Sequence, residues 1–318
     1  MSLGENRSPH ELIAKLQTNI GQVLVGKQEA IQLLMIALLC RGHCLVEDVP
    51  GVGKTTLAHA FARSLGLVFQ RIQFTPDVLP SDITGYTVYD LKQGAMTFHT
   101  GAIMSQIILA DEINRSSPKT QSSLLEAMQE GQVTVDGQTY PLPQPFMVLA
   151  TQNPIEFSGT FPLPEAQLDR FLLRIHLGYP TQEEEIAILQ QHLKTRLVQS
   201  LPAVVKQPEI ETLQQACEAV LVSDPILEYI SRLVAWTRVQ DAIALGISPR
   251  GGIALMQAAR AQAFLAGRTF VIPDDVQSLL EPVWSHRLVL RPEAALDRTA
   301  LVKLFGRLIR ETKIPALS

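Results

Sequence analysis

Three cysteines in 318 residues, Cys40, Cys44 and Cys217, are too few and of the wrong parity for a disulfide framework. They point instead to a reducing compartment, the cytoplasm. No second ligand pair at zinc spacing follows Cys40, His43 and Cys44, so that cluster reads as core packing rather than a metal centre. Long apolar runs are also missing. The longest, from Ile31 to Cys40, is broken by Gln32 and is too short to span a bilayer, so it reads as a buried helix. No basic start followed by an apolar core suggests a leader. Lys and Arg form no long run and the net charge is −4, which argues against a dedicated nucleic-acid binder. Repeats and low-complexity tracts do not stand out.

What is present describes a globular chain. Apolar residues make up 46% of the sequence, which excludes intrinsic disorder, and the length accommodates two cored domains. The first half alternates β-rich runs with helical patterns, the mark of an α/β fold whose parallel sheet is flanked by helices. Strands are predicted at Cys44–Glu47, Val68–Phe74, Ile107–Asp111, Met147–Thr151 and Phe171–His176. Helices are predicted from Gly53 towards Leu65, and from the Ser117-Pro118 cap to Gly131. Val133–Tyr140 carries Asp136-Gly137, a type I′ hairpin signal, and Pro80–Gly101 reads as an irregular insertion with room for a second hairpin. Past Gly178-Tyr179-Pro180 helical periodicity takes over, with helices predicted at Asp224–Val239, Ser248–Ala266 and Pro273–Leu280. The domain boundary is therefore expected near residue 180, with a small all-α domain over 181–318.

The chemistry concentrates in two stretches. Asp48-Val49-Pro50-Gly51-Val52-Gly53-Lys54-Thr55 follows a predicted strand and opens a predicted helix, the context a phosphate-binding P-loop requires. Backbone N–H groups of such a loop and the helix N-terminus cradle phosphate oxygens. Gly51 and Gly53 allow close approach, Lys54 brings charge to the β- and γ-phosphates, and the Thr55 hydroxyl is a Mg²⁺ ligand. Thr56 is a candidate for the α-phosphate side. Asp48 stands where the general pattern has glycine, and the expectation is that it substitutes by tolerating left-handed geometry. Ile107-Ile108-Leu109-Ala110-Asp111-Glu112 ends an apolar strand in two carboxylates. Asp111 is the candidate for holding Mg²⁺ through water, and Glu112 for polarising the attacking water. Asn153, after the next predicted strand, is a candidate for holding that water. Arg170 precedes the last predicted strand and Arg250 follows the Ser248-Pro249 cap; both are candidates for contact with the triphosphate. Arg115 reads either as a subunit contact or as a salt-bridged surface arginine.

Longer stretches carry a family likeness. Phe74-Thr75-Pro76-Asp77-Val78-Leu79-Pro80-Ser81-Asp82-Ile83-Thr84-Gly85, Leu109 through Glu130, and Ala150 through Phe171 with its Leu163-Pro164-Glu165-Ala166-Gln167-Leu168-Asp169-Arg170-Phe171 run resemble a MoxR-family AAA+ ATPase. The likeness extends from about residue 20 to 290. It implies an AAA+ nucleotide-binding domain over residues 1–180, with a helix-two insert at about 80–101 and a presensor hairpin at about 132–141, followed by a helical lid. It implies Mg-ATP hydrolysis, a role for Val25-Gly26 beside adenine, Asn153 as first sensor, Arg170 as an arginine finger and Arg250 as second sensor, on its own or a neighbour's nucleotide. It also implies a ring, often hexameric, a partner with a von Willebrand factor A domain, and chaperone-like maturation of clients, including metal or cofactor insertion. The rival readings are a nucleic-acid-translocating motor, a nucleotide-gated binding module with little turnover and, more remotely, a small-molecule kinase.

Overall fold

The computed structural model describes residues 7–92, 94–153, 159–194, 201–297 and 299–315. The chain divides into two compact units. Unit 1 comprises residues 1–35, 43–163 and 175–211; unit 2 comprises 36–42, 164–174 and 212–318. No helix among the described residues is long and apolar enough to cross a membrane.

Four strands of a five-stranded sheet lie in the first unit: β1 (Cys44–Glu47), β2 (Phe69–Gln73), β5 (Ile107–Asp111) and β8 (Met147–Gln152). The fifth, β9 (Leu173–Ile175), falls in that unit only at Ile175, and the order is β2-β5-β8-β1-β9. The β2–β5, β5–β8 and β1–β8 pairs are parallel. Central strands of a parallel sheet are covered on both faces, which accounts for the unbroken apolar runs of β1, β5 and β8. The helix Lys54–Ser64 turns Leu57, Ala58, Phe61 and Ala62 into the core. His43, just before β1, is buried too. Its Nδ1 accepts the Val148 N–H at 3.1 Å and its Nε2 meets the Met128 carbonyl at 3.1 Å, so both ring nitrogens serve the packing.

Register gathers the polar strand ends at one edge. Glu47 lies opposite Gln152, and Gln73 opposite Asp111. In open α/β sheets, ligands bind beyond these carboxyl ends. The unit also carries two hairpins, β3 (Gly85–Asp90) with β4 (Ala95–Thr100), and β6 (Gln132–Val135) with β7 (Gln138–Pro141). The β6–β7 turn puts Asp136 at φ 48° and Gly137 at φ 80°, the positive values a type I′ turn needs. Phe98 stacks on Tyr140 at 4.0 Å and joins the hairpins.

The second unit is mainly helical, built on Asp224–Thr237, Pro249–Leu265, Pro273–Ser278, Leu280–Trp284 and Ala300–Glu311. Two differences from the sequence expectation stand out, and the first has a local cause. The helix predicted to run to Leu280 stops at Ser278 and restarts at Leu280, which leaves Pro282 in a first turn, where its missing N–H costs no hydrogen bond. A short antiparallel ladder, β10 (Ile243–Leu245) with β11 (Val289–Leu290), accompanies the helices.

Candidate functional site

The loop from Asp48 to Gly53 leaves β1 and ends as the helix Lys54–Ser64 begins. Gly51 and Gly53 have φ of 86° and 97°, in the region that favours glycine. A Cβ built on either would meet nothing within 4 Å, so both are needed for backbone shape and leave open space beside the loop. Pro50 and Thr55 are exposed, and Val49, Val52, Lys54 and Thr56 are half-buried. Lys54 Nζ donates to the Asp48 carbonyl at 2.6 Å, spanning the loop. Burial pulls the Lys54 ammonium below its ordinary pKa, while Asp48, Asp111 and Glu112 oppose that shift; the lysine thus lies within electrostatic range of all three acids.

Asp48 does not act as expected. Its φ is not positive. Its carboxylate accepts the Leu177 N–H at 2.5 Å and the Gly178 N–H at 2.8 Å through Oδ2, and the Val49 N–H at 3.1 Å through Oδ1. The aspartate therefore fastens the loop to the chain leaving β9, which glycine cannot do. The same two residues anchor the Val25-Gly26 segment: Lys27 Nζ donates to the carbonyls of Leu177 (2.7 Å) and Gly178 (3.3 Å). Gly26, at φ 72°, lies against Glu184, whose Oε1 would be 1.7 Å from an added Cβ. Leu177-Gly178 thus fixes the P-loop and the Val25–Lys27 segment together.

The acidic pair is held by side chains that motif reading missed. Asp111 Oδ1 accepts the Thr151 hydroxyl at 2.6 Å, and Oδ2 accepts Arg71 through Nε (3.1 Å) and Nη2 (2.6 Å). Glu112 adopts left-handed geometry, φ 58° and ψ 48°, uncommon for a residue with a side chain. Its N–H donates to Thr151 Oγ1 at 2.9 Å, so one buried hydroxyl ties both acids to β8. Glu112 Oε2 accepts Gln73 Nε2 (2.9 Å) and Arg115 Nη1 (3.1 Å), while Gln73 Oε1 accepts Arg71 Nη2 (2.7 Å). Arg115 is thus ion-paired within its own chain. The signal for Arg71 and Gln73 was present: they alternate along β2 beside the end of β5. Behind the pair, buried Gln121 donates to the carbonyls of Ile113, Ser116 and Phe161 and holds the following turn.

Asn153 is buried directly after β8, and the neighbouring Pro154 lies outside the described residues. Arg170 and Arg250 both belong to unit 2. Arg250 is exposed in the first turn of Pro249–Leu265, whose cap Ser248 accepts the Gly251 N–H at 3.1 Å. Arg170 is half-buried, and its Nε is enclosed without a hydrogen-bond partner.

A family model described as "ATPase family associated with various cellular activities (AAA)" matches residues 43–173, and an AAA lid domain model matches residues 235–303. Chaperone MoxR1 of Mycobacterium tuberculosis is 39% identical over 94% of this chain and 81% of its own length. Protein MoxR of Methylorubrum extorquens is 32% identical over 95% and 94%. The chain belongs to the MoxR family of AAA+ ATPases. YeaC of Bacillus subtilis is 48% identical to this MoxR-family ATPase over 96% of each chain. A crystal structure of a putative ATPase from Cytophaga hutchinsonii superposes with a TM-score of 0.89 at 36% identity, covering 97% of this chain and 96% of that one.

The donor set suits a magnesium nucleotide. An open glycine loop at a helix N-terminus offers N–H groups to an anion, with a lysine at its end. The exposed Thr55 hydroxyl and the Asp111 carboxylate are hard oxygen ligands of the kind Mg²⁺ takes. Asp111 already accepts on both oxygens, yet an ionised carboxylate has about four lone-pair sites, enough for a water-mediated contact as well.

Proposed function

We propose that this MoxR-family ATPase binds Mg-ATP at the edge where the P-loop faces the acidic end of β5, and uses its hydrolysis to remodel or mature partner proteins. The observation that carries this reading is the pairing of an open loop ending in Lys54 with Asp111 and Glu112, close enough for their charges to act on that lysine. In this account the N–H groups of residues 51–54 and the Lys54 ammonium bind the phosphates. Asp48 gives the loop its shape. Val25 and Gly26 border the adenine. Thr55 and Asp111 would hold Mg²⁺, which neutralises phosphate charge when bound. Glu112 orients and polarises the attacking water, with Asn153 as its second anchor.

Arg170 is assigned to the neighbouring subunit's triphosphate, and Arg250 to a phosphate contact from the lid. The nucleotide-binding domain would extend to about residue 180 and the lid from 181 on. Two features support a shared site: Arg170 and Arg250 lie in the same unit, and the P-loop and acids in the other. A ring, six-membered by family likeness, would then be the working form, in the cytoplasm. Its partner would carry a von Willebrand factor A domain, and its task would include metal or cofactor insertion into clients. The chaperone reading draws on the name of the mycobacterial relative.

The test is phosphate release as a function of protein concentration for wild type and Arg170→Ala. Specific activity is expected to rise with concentration in the wild type. Arg170→Ala should lower it by roughly 10³–10⁵, the range for a trans-acting arginine. If Arg170→Ala changes neither the rate nor its concentration dependence, the shared site is wrong.

A further inference from the structure

The Arg287 side chain donates five hydrogen bonds within unit 2, and it sits in no recognisable motif. Its side chain is 3% exposed. Nε donates to Asp169 Oδ1 at 2.7 Å. Nη2 donates to the carbonyls of Phe171 (2.7 Å) and Asp169 (3.3 Å), and Nη1 to those of Leu172 (3.1 Å) and Val283. Adjacent His286 adds Nε2 at 2.9 Å from the Phe171 carbonyl. Thus the backbone on both sides of Arg170 is gripped by two consecutive residues that follow the helix Leu280–Trp284. Gly251 makes room for the grip: a Cβ there would come within 3.2 Å of Arg287 Cδ. Asp169 also receives the Ser248 hydroxyl at 3.4 Å, so the helix start that carries Arg250 joins the same cluster.

We propose that Arg287, aided by His286, is a positioning residue for Arg170, fixing the backbone from which that arginine reaches a neighbouring subunit's nucleotide. The inference rests on the shared-site reading of Arg170 given above. Its physical basis is that a buried guanidinium is an expensive way to hold a core. Desolvating such an ion is costly, and apolar residues of similar volume commonly serve stability as well or better. What a guanidinium supplies is a rigid planar fork of five donors. Here four of its bonds end on three residues of the segment 169–172, with Arg170 between them. The same bonds explain why β9 begins at Leu173 rather than at Phe171, as the sequence predicted: the carbonyls of Phe171 and Leu172 point to Arg287 instead of a ladder. Burial holds the His286 ring neutral, with the Arg287 charge adding to the effect, and this suits a single Nε2–H donor to Phe171.

The experiment mixes chains. Lys54→Ala cannot use its own nucleotide but keeps a sound Arg170. Arg287→Met should keep its own nucleotide site and present a misplaced Arg170. Phosphate release is measured for Lys54→Ala, Arg170→Ala and Arg287→Met alone, and for Lys54→Ala mixed with each of the other two. Binding of a fluorescent ATP analogue and thermal melting are followed in parallel. The proposal expects Arg287→Met alone to lose at least tenfold in turnover while binding the analogue within about threefold of wild type, and to regain activity when mixed with Lys54→Ala. Recovery with Arg170→Ala but not with Arg287→Met would overturn the proposal and leave the shared site standing. Recovery with neither partner would remove the shared-site reading, and the proposal with it. If Arg287→Met does not fold, Arg287→Lys replaces it in the same mixture. Lysine keeps the charge but cannot span the Asp169 carboxylate and the four carbonyls together, so the same outcomes decide.

Discussion

Thr151 offers the sharpest quantitative test of how the acidic pair is built. Its hydroxyl donates to Asp111 at 2.6 Å and accepts the Glu112 N–H at 2.9 Å, and the residue is 1% exposed. Thr151→Val keeps the shape and removes both bonds. Loss of a charge-assisted hydrogen bond costs about 1.5–3 kcal/mol, and a buried N–H left without an acceptor about 1–3 kcal/mol more. Asp111 keeps Arg71 and valine is the more apolar side chain, so a net destabilisation of about 3 kcal/mol is expected. Urea denaturation of the nucleotide-free protein measures it. Since Thr151 also fixes where Asp111 and Glu112 point, turnover should fall by about 10²-fold, the scale reached when reacting groups shift by an ångström. Thr151→Ser, which keeps the hydroxyl, should stay within about 1 kcal/mol of wild type and retain most activity. A valine variant as stable and as active as wild type would refute the argument that this hydroxyl organises the pair.

Two further perturbations follow from the geometry. Asp48→Gly restores the residue general to P-loops, yet it removes the acceptor for three backbone N–H groups. It should cost about 1–3 kcal/mol in stability and weaken ATP binding; a neutral or tighter-binding glycine variant would show that Asp48 serves only the turn. His43 is buried with its pKa pushed down to about 4. Its folded-state value lies below the unfolded one near 6.5, so its contribution is complete above about pH 6.5 and is lost as pH falls towards 4. The full loss is about 3 kcal/mol, from roughly 1.4 kcal/mol per pKa unit. Urea midpoints at pH 7 and pH 4.5 should therefore converge in His43→Asn relative to wild type; an equal pH dependence in both would contradict the assignment.

The parts of the site that could be read from sequence are those whose chemistry is local in the chain. Gly51, Gly53 and Lys54 announce themselves because a phosphate loop is one strand–turn–helix, and Asp111-Glu112 because an apolar strand ends there. Residues that work across the sheet gave weaker signals. Arg71 and Gln73 gain meaning only once β2 is known to lie in register beside β5. Thr151 does so only once β8 is placed on the other side of β5. The sequence alone suggests a dihedral role for Asp48, because its partners Leu177 and Gly178 are 129 and 130 positions away. Arg287 is 118 positions from Asp169 and sits in no recognisable motif. The strands and helices were legible from periodicity and caps. Their ends shifted where tertiary bonds intervened, as at Phe171, or where a proline forced a restart, as at Pro282.

Everything proposed for the site requires the loop ending at Lys54 to hold a magnesium nucleotide. Calorimetric titration of Mg-ATP into folded wild type and Lys54→Ala tests it directly. The account predicts saturable binding by wild type and a loss of at least tenfold in affinity for Lys54→Ala, with both proteins melting alike. Equal affinity in the two, or no heat of binding in either, would contradict it.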